Sequence, residues 1–175
     1  ERTKDIKFIG GLVMLKRHHP ILKPVFIVGC MRSGTTLLAS LLHTHPNIVY
    51  CPFELRSIWS SVGKVPMASP KTGDQTCPEL GRSDVRLDIK KNLTNAFLKE
   101  FWKNNTRKRA DSLFLNKNPH LCNKLPFVDE LFPEARFIWI YRHMPSVVAS
   151  LRKLFNFKTI HYWPKKSKSD SIRCW

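Results

Sequence analysis

The chain has 175 residues, room for one domain with a sizeable core, and 42% of them are hydrophobic at a mean hydropathy of −0.28. That balance excludes a disordered chain and a membrane-filling one. Against 13 Asp and Glu stand 30 Lys and Arg, and the resulting formal charge of +17 favours anionic ligands or surfaces.

Residues 1–21 form a mixed basic and apolar lead-in, in which Phe8 to Leu15 is too short to span a bilayer. Val25–Val28 is a continuous apolar run, as expected of a strand buried on both faces. A glycine-bounded loop follows, then a helix from Thr35 to about Thr44, ended by His45-Pro46. Ile48–Cys51 predicts a second strand leading into Pro52-Phe53-Glu54, and residues 62–84, rich in Gly, Pro, Ser and Asp, read as a long surface loop. Leu87, Ile89, Leu93, Phe97, Leu98 and Phe101 place an apolar side on a helix from Val85 to about Asn104. Leu113–Leu115 is a short strand ending at Asn116-Lys117-Asn118-Pro119; a helix over Leu125–Phe132, a strand over Arg136–Tyr141 and a helix from Pro145 to about Leu154 complete the pattern. Strand and helix alternate without an internal repeat, which predicts an α/β fold with a parallel sheet flanked by helices.

The stretch from Pro24 to Leu38 carries the chemistry. A phosphate-binding P-loop has Gly, four residues, Gly, Lys, then Ser or Thr. Gly29 and Gly34 have that separation and Thr36 fills the hydroxyl position, but Thr35 stands where the lysine belongs. The lysine reaches the terminal phosphates of a nucleoside triphosphate, so its loss argues against an ordinary ATPase or kinase. The backbone N–H groups and the positive end of the helix remain. Arg32 inside the loop adds a planar cationic donor. This loop suits a phosphate-like anion other than a triphosphate.

Arg32-Ser33-Gly34-Thr35-Thr36 after an apolar strand resembles the 5′-phosphosulfate loop of the sulfotransferases that use 3′-phosphoadenosine 5′-phosphosulfate (PAPS). A second segment agrees: the strand Arg136–Tyr141 ends at Arg142, and Ser150 follows at the spacing by which that family's arginine and serine clamp the 3′-phosphate. The motif style is closest to the protein-tyrosine and bacterial-type members, and the resemblance covers about residues 22–155. It implies a P-loop-NTPase-like sheet, PAPS as co-substrate, no metal, and a sulfotransferase domain over residues 22–157. A basic tail over 158–175 stands where the family continues into a glycine-containing C-terminal loop, so a C-terminally truncated fragment is expected.

The resemblance also proposes roles. Glu54, after the second strand, is the candidate base; against the tyrosine enzymes it needs a one-residue slip, and its alternative is a plain ion pair with Arg56 or Arg32. Lys117, in a segment resembling the Asn-Lys-x-Pro of tyrosine- and carbohydrate-acting relatives, would lie against the transferring group together with Arg32; its alternative is a solvated loop lysine. Cytosolic relatives use a histidine base, so His43, His45 and His120 are weighed as well, although His43 and His45 fall at a helix end, where histidine commonly caps. His18-His19 reads as exposed, and no His/Cys spacing resembles a metal site.

Five cysteines (Cys30, Cys51, Cys77, Cys122, Cys174) include no Cys-x-x-Cys pair, and Cys30 and Cys51 fit small buried hydrophobes. Asn92-Leu-Thr94 and Asn104-Asn-Thr106 are N-glycosylation sequons and lean toward a Golgi glycoprotein over a cytoplasmic enzyme. The acceptor is open among tyrosine, carbohydrate and a small alcohol or amine. The charge at Lys99 to Arg109 and at Lys165-Lys166-Ser167-Lys168 suits a polyanion without any nucleic-acid motif. Two other readings stay open: a truncated, non-catalytic module binding anions or nucleotides, and a nucleotide kinase with a degenerate P-loop, in which Arg142 and Ser150 would have no role.

Overall fold

The computed structural model describes residues 6–9, 12–15, 21, 23–66, 78–106 and 111–156. The lead-in contributes an antiparallel hairpin of β1 (Ile6–Ile9) and β2 (Leu12–Leu15), with Ile6 opposite Leu15 and Ile9 opposite Leu12. Then β3 (Val25–Gly29), α1 (Thr35–His43), β4 (Ile48–Cys51), α2 (Leu87–Asn104), β5 (Leu113–Lys117), α3 (Leu125–Leu131), β6 (Arg136–Ile140) and α4 (Met144–Asn156) follow in strict alternation. The four later strands form one parallel sheet in the order β4-β5-β3-β6.

The strand order explains the composition of each element. β3 pairs on both sides, with β5 and β6, so Phe26, Ile27 and Val28 are all fully buried. Its side chains alternate between two cores. Phe26 and Val28 pack with Ile89, Leu93, Phe97 and Phe101 of α2 and with Phe127, Val128 and Leu131 of α3. Ile27 packs on the opposite face with Ala39 of α1 and Leu115 of β5. The first core is strongly aromatic: the Phe26 ring lies 5.9 Å from Trp59, 6.4 Å from Phe114 and 5.8 Å from Phe132, and Phe97 lies 5.0 Å from both Trp59 and Phe114. Such pairs add about 0.5–1.5 kcal/mol each beyond the area they bury.

Three details differ from the expectation. β5 runs on to Lys117 because Asn116 is held in register on both sides, against Phe26 and Cys51. Helix α2 starts at Leu87, and Leu87 itself is 86% exposed; the buried stripe is Ile89, Leu93, Phe97 and Phe101, at uninterrupted four-residue spacing. The stretch read as loop from 62 to 84 is preceded by a π-helical turn, Ile58–Val62, that sinks Trp59 into the core, and it closes in a 3₁₀ turn, Arg82–Asp84. Residues 67–77, Arg107 to Arg109 and the basic tail lie outside the described residues, as do Cys77, Cys174 and His18-His19.

Candidate functional site

The residues that the sequence assigned to the donor, the transferring group and the base gather at the carboxyl edge of the sheet, where open α/β sheets take ligands. Along that edge the strand order sets their sequence: Arg142 past β6, the glycine loop past β3, Lys117 at the end of β5, and Glu54 past β4. Glu54 and the loop are thus two strand spacings apart, roughly 10 Å.

The loop is built by its glycines. Gly29 has φ 148°, and a Cβ there would lie 2.5 Å from the Ile140 carbonyl oxygen on the neighbouring strand. The Gly29 N–H donates to Cys122 Sγ at 3.1 Å, a support that nothing in the cysteine spacing signalled. Ser33 turns back on Cys30, its N–H donating to the Cys30 carbonyl at 3.2 Å and its hydroxyl donating to the same oxygen. Gly34 has φ 104° and caps α1 without a side chain, and the first turn of α1 holds no acidic residue. The positive end of the helix therefore faces the loop with no acidic residue in its own first turn to neutralise it. Thr35 is buried and Thr36 exposed.

Arg32, itself at φ 66°, projects from this loop, and its Nε donates to Ser150 Oγ on α4 at 3.0 Å. Arg142 Nη1 donates to the Arg32 carbonyl at 2.8 Å. The two motifs that the sequence separates are thus in direct contact.

At the other end of the row, Lys117 Nζ donates to Glu54 Oε1 at 2.7 Å, with the two side chains only 9% and 22% exposed. The ion pair that was the alternative role of Glu54 is made, but with Lys117 and not with the Arg56 or Arg32 considered for it, and Lys117 is no solvated loop lysine. Glu54 lies in a left-handed turn: Phe53, Glu54 and Leu55 have φ of 57°, 59° and 47°. Left-handed geometry costs a non-glycine residue roughly 1–2 kcal/mol, so the surroundings must hold it. Leu55 is buried in the main core, and Asn118 Nδ2 donates to the Glu54 carbonyl at 3.1 Å. Asn116, one strand residue earlier, accepts from Trp59 Nε1 at 3.2 Å and donates to the Cys51 carbonyl at 3.3 Å. The two asparagines flanking Lys117 thus lock β5 to the chain that carries Glu54.

Of the three histidines, His43 and His45 sit at the opposite edge, where Ile48 begins β4. His43 Nδ1 lies 3.2 Å from the Ile48 carbonyl oxygen, and His45 Nδ1 accepts from the Asn47 N–H at 3.2 Å. His120 is at the site and 4% exposed. Burial pushes its pKa down to about 4, helped by Arg56, Lys124 and Lys117 and opposed by Glu54, so it is neutral at physiological pH. Among the described residues no group of His, Cys, Asp and Glu is gathered as for a metal ion, and no helix is long and apolar enough to cross a membrane.

The profile of the sulfotransferase family matches residues 24–175. Among known proteins the chain is 30% identical to the nodulation protein NoeE of Sinorhizobium fredii, over 85% of this chain and 35% of that protein. It is also 30% identical to protein-tyrosine sulfotransferase 1 of Homo sapiens, over 90% of this chain and 41% of that one. A crystal structure of a sulfotransferase from Mycobacterium tuberculosis superposes with a TM-score of 0.50 at 15% identity, covering 87% of this chain and 54% of the other, and agrees in fold. The chain therefore spans between about a third and a half of the length of these relatives.

Proposed function

The chain belongs to the sulfotransferase family, with its P-loop-NTPase-like fold, and on that premise we propose that it transfers a sulfuryl group from PAPS to an acceptor hydroxyl or amine. The observation that carries this reading is the order of groups along the sheet edge: Arg142 with Ser150, then Arg32 to Thr36, then Lys117, then Glu54. A donor anionic at both ends of its ribose needs two separate sets of cationic and N–H donors, and the first two groups supply them. A transferable group held at the loop then faces Lys117, with the acceptor's base one strand further on.

In this reading Arg142 and Ser150 bind the 3′-phosphate; Gly34, Thr35 and Thr36 present backbone N–H and hydroxyl donors to the 5′ end, and Ser33, whose own N–H and hydroxyl donate to the Cys30 carbonyl, shapes the loop around it. The donor supplies an activated sulfuryl group. Arg32 and Lys117 neutralise charge on that group, and Glu54, held by Lys117, takes the acceptor's proton. Catalysis rests on position and electrostatics, as in phosphoryl transfer.

Calorimetric titration with adenosine 3′,5′-bisphosphate, beside ATP with Mg²⁺, tests the reading. Micromolar or tighter binding of the bisphosphate with weak ATP binding is expected; a preference for ATP would overturn it in favour of a kinase. The Golgi setting is part of the proposal. Its support is Asn92, exposed on α2, whereas the Asn104 amide is engaged with the Glu100 carbonyl at 2.8 Å. Expression through the secretory pathway should give a glycan lost in Asn92→Gln; an unglycosylated product points to the cytoplasm.

A further inference from the structure

The ladder between β3 and β5 stops one hydrogen bond short of the glycine loop. The two strands pair in parallel as far as Ile27 and Lys117, and the Asn118 N–H donates to the Ile27 carbonyl at 3.0 Å. The next N–H of β3 on that side belongs to Gly29, and a continued ladder would carry it to the Asn118 carbonyl. That carbonyl is already taken. The chain turns at Pro119, which has no N–H to give a strand, and the Leu121 N–H donates to the Asn118 carbonyl at 3.3 Å. The first N–H of the loop therefore loses its strand partner where the loop begins, and Cys122 Sγ accepts it at 3.1 Å.

Gly29 depends on that partner. Its φ of 148°, and the 2.5 Å at which a Cβ would meet the Ile140 carbonyl oxygen, leave no side chain to hold it, and a glycine peptide rotates freely. Further along, Ser33 closes on the Cys30 carbonyl, so the loop is pinned at Gly29 and again at Cys30. The turn that carries Cys122 also carries Asn118, whose Nδ2 donates to the Glu54 carbonyl at 3.1 Å. Loop and base turn are thus fastened to one short segment, Asn118–Cys122, directly after Lys117.

We infer that Cys122 is a positioning residue for the donor: its sulfur replaces the missing strand acceptor and fixes the Gly29 peptide, so that the N–H groups beyond it face the anion. The inference rests on the reading of the glycine loop as the donor's 5′ site. In this role the thiol neither touches the nucleotide nor moves a proton. Sulfur suits the place because it is a weak acceptor that also packs, and Cys122 lies against the aromatic core. A hydroxyl could make the same bond, whereas an apolar side chain of similar bulk could only pack. That contrast separates positioning from packing.

The test compares the full chain as wild type, Cys122→Ser and Cys122→Val by two measurements. Amide hydrogen exchange followed by NMR, without nucleotide, reads the Gly29 N–H directly. Its exchange should quicken about tenfold in Cys122→Val and stay within about twofold of wild type in Cys122→Ser. Calorimetric titration with adenosine 3′,5′-bisphosphate should give a Kd about fivefold weaker in Cys122→Val, with Cys122→Ser again close to wild type. Cys122→Ala, which adds no bulk, takes the place of the valine variant if that one does not fold. A Gly29 amide that exchanges in the apolar variant as in the wild type overturns the proposal. So do equal losses in the serine and apolar variants, or an apolar variant that binds the bisphosphate as wild type does. Failure of the wild type to bind the bisphosphate overturns the PAPS reading alone, because the exchange comparison is made without nucleotide and still decides whether Cys122 holds the loop.

Discussion

Arg32 Nε donates to Ser150 Oγ at 3.0 Å, joining side chains 118 residues apart in the chain, while Arg142 holds the Arg32 carbonyl from the other side. The side chains proposed for the two ends of the nucleotide are thus hydrogen-bonded to one another. In the proposed function, binding of adenosine 3′,5′-bisphosphate exchanges these contacts for charge-assisted ones. Each arginine contributes through such bonds, so Arg32→Ala and Arg142→Ala should each weaken binding by about 1.5–3 kcal/mol. Ser150→Ala removes a neutral donor and should cost about 1 kcal/mol. Calorimetric Kd values check all three, and an arginine variant that binds like wild type would mean the nucleotide sits elsewhere.

Glu54 makes a different prediction because its partner is a lysine and not the nucleotide. Glu54→Gln keeps the shape of the side chain and an oxygen for Lys117, so bisphosphate affinity should stay within twofold. Turnover should fall by at least a hundredfold, the usual contribution of a positioned general base. The comparison of kcat with Kd in one preparation separates the two effects. Equal losses in both would assign Glu54 to binding.

Most of this site was legible because its chemistry is written in short local spacings. Gly29, Arg32, Gly34 and Thr36 lie within one loop, and Arg142 and Ser150 on one strand–helix unit. What could not be read is what brings the units together. The order β4-β5-β3-β6 puts Lys117 between the loop and Glu54, and nothing in the sequence ranks the strands. The left-handed turn at Phe53–Leu55 was illegible for a sharper reason: no glycine or asparagine marks it, since its geometry is imposed from outside by Lys117, Asn118 and the core. Likewise the spacing of five scattered cysteines carries no sign that the Cys122 sulfur accepts the Gly29 N–H.

The two loop glycines should fail differently. Alanine at Gly29 puts a methyl group 2.5 Å from the Ile140 carbonyl oxygen on top of a φ of 148°, so β3 and β6 must separate. Alanine at Gly34 meets nothing within 4 Å and has only its φ of 104° to contend with. Gly34→Ala should cost about 1–3 kcal/mol, and Gly29→Ala more than that, with loss of folded protein at moderate temperature. Thermal denaturation of the two variants ranks them; a Gly29→Ala protein as stable as Gly34→Ala would contradict the packing of β3 on β6.

His120 gives the fold a dependence on acidity that a surface histidine would not. Its pKa is pushed from an ordinary 6.5 to about 4, first by burial and then by Arg56, Lys124 and Lys117, with Glu54 opposing. The unfolded chain therefore binds a proton at this residue between about pH 6.5 and pH 4 while the folded protein does not. In that window stability rises with pH. The contribution of neutral His120 is complete above about pH 6.5 and is lost as pH falls, at up to about 1.4 kcal/mol per unit. Urea titrations at pH 7.5, 6 and 5 should show the decline, and His120→Gln should flatten it by removing the titrating group. A decline of equal slope in the variant would place the acid sensitivity in groups other than His120.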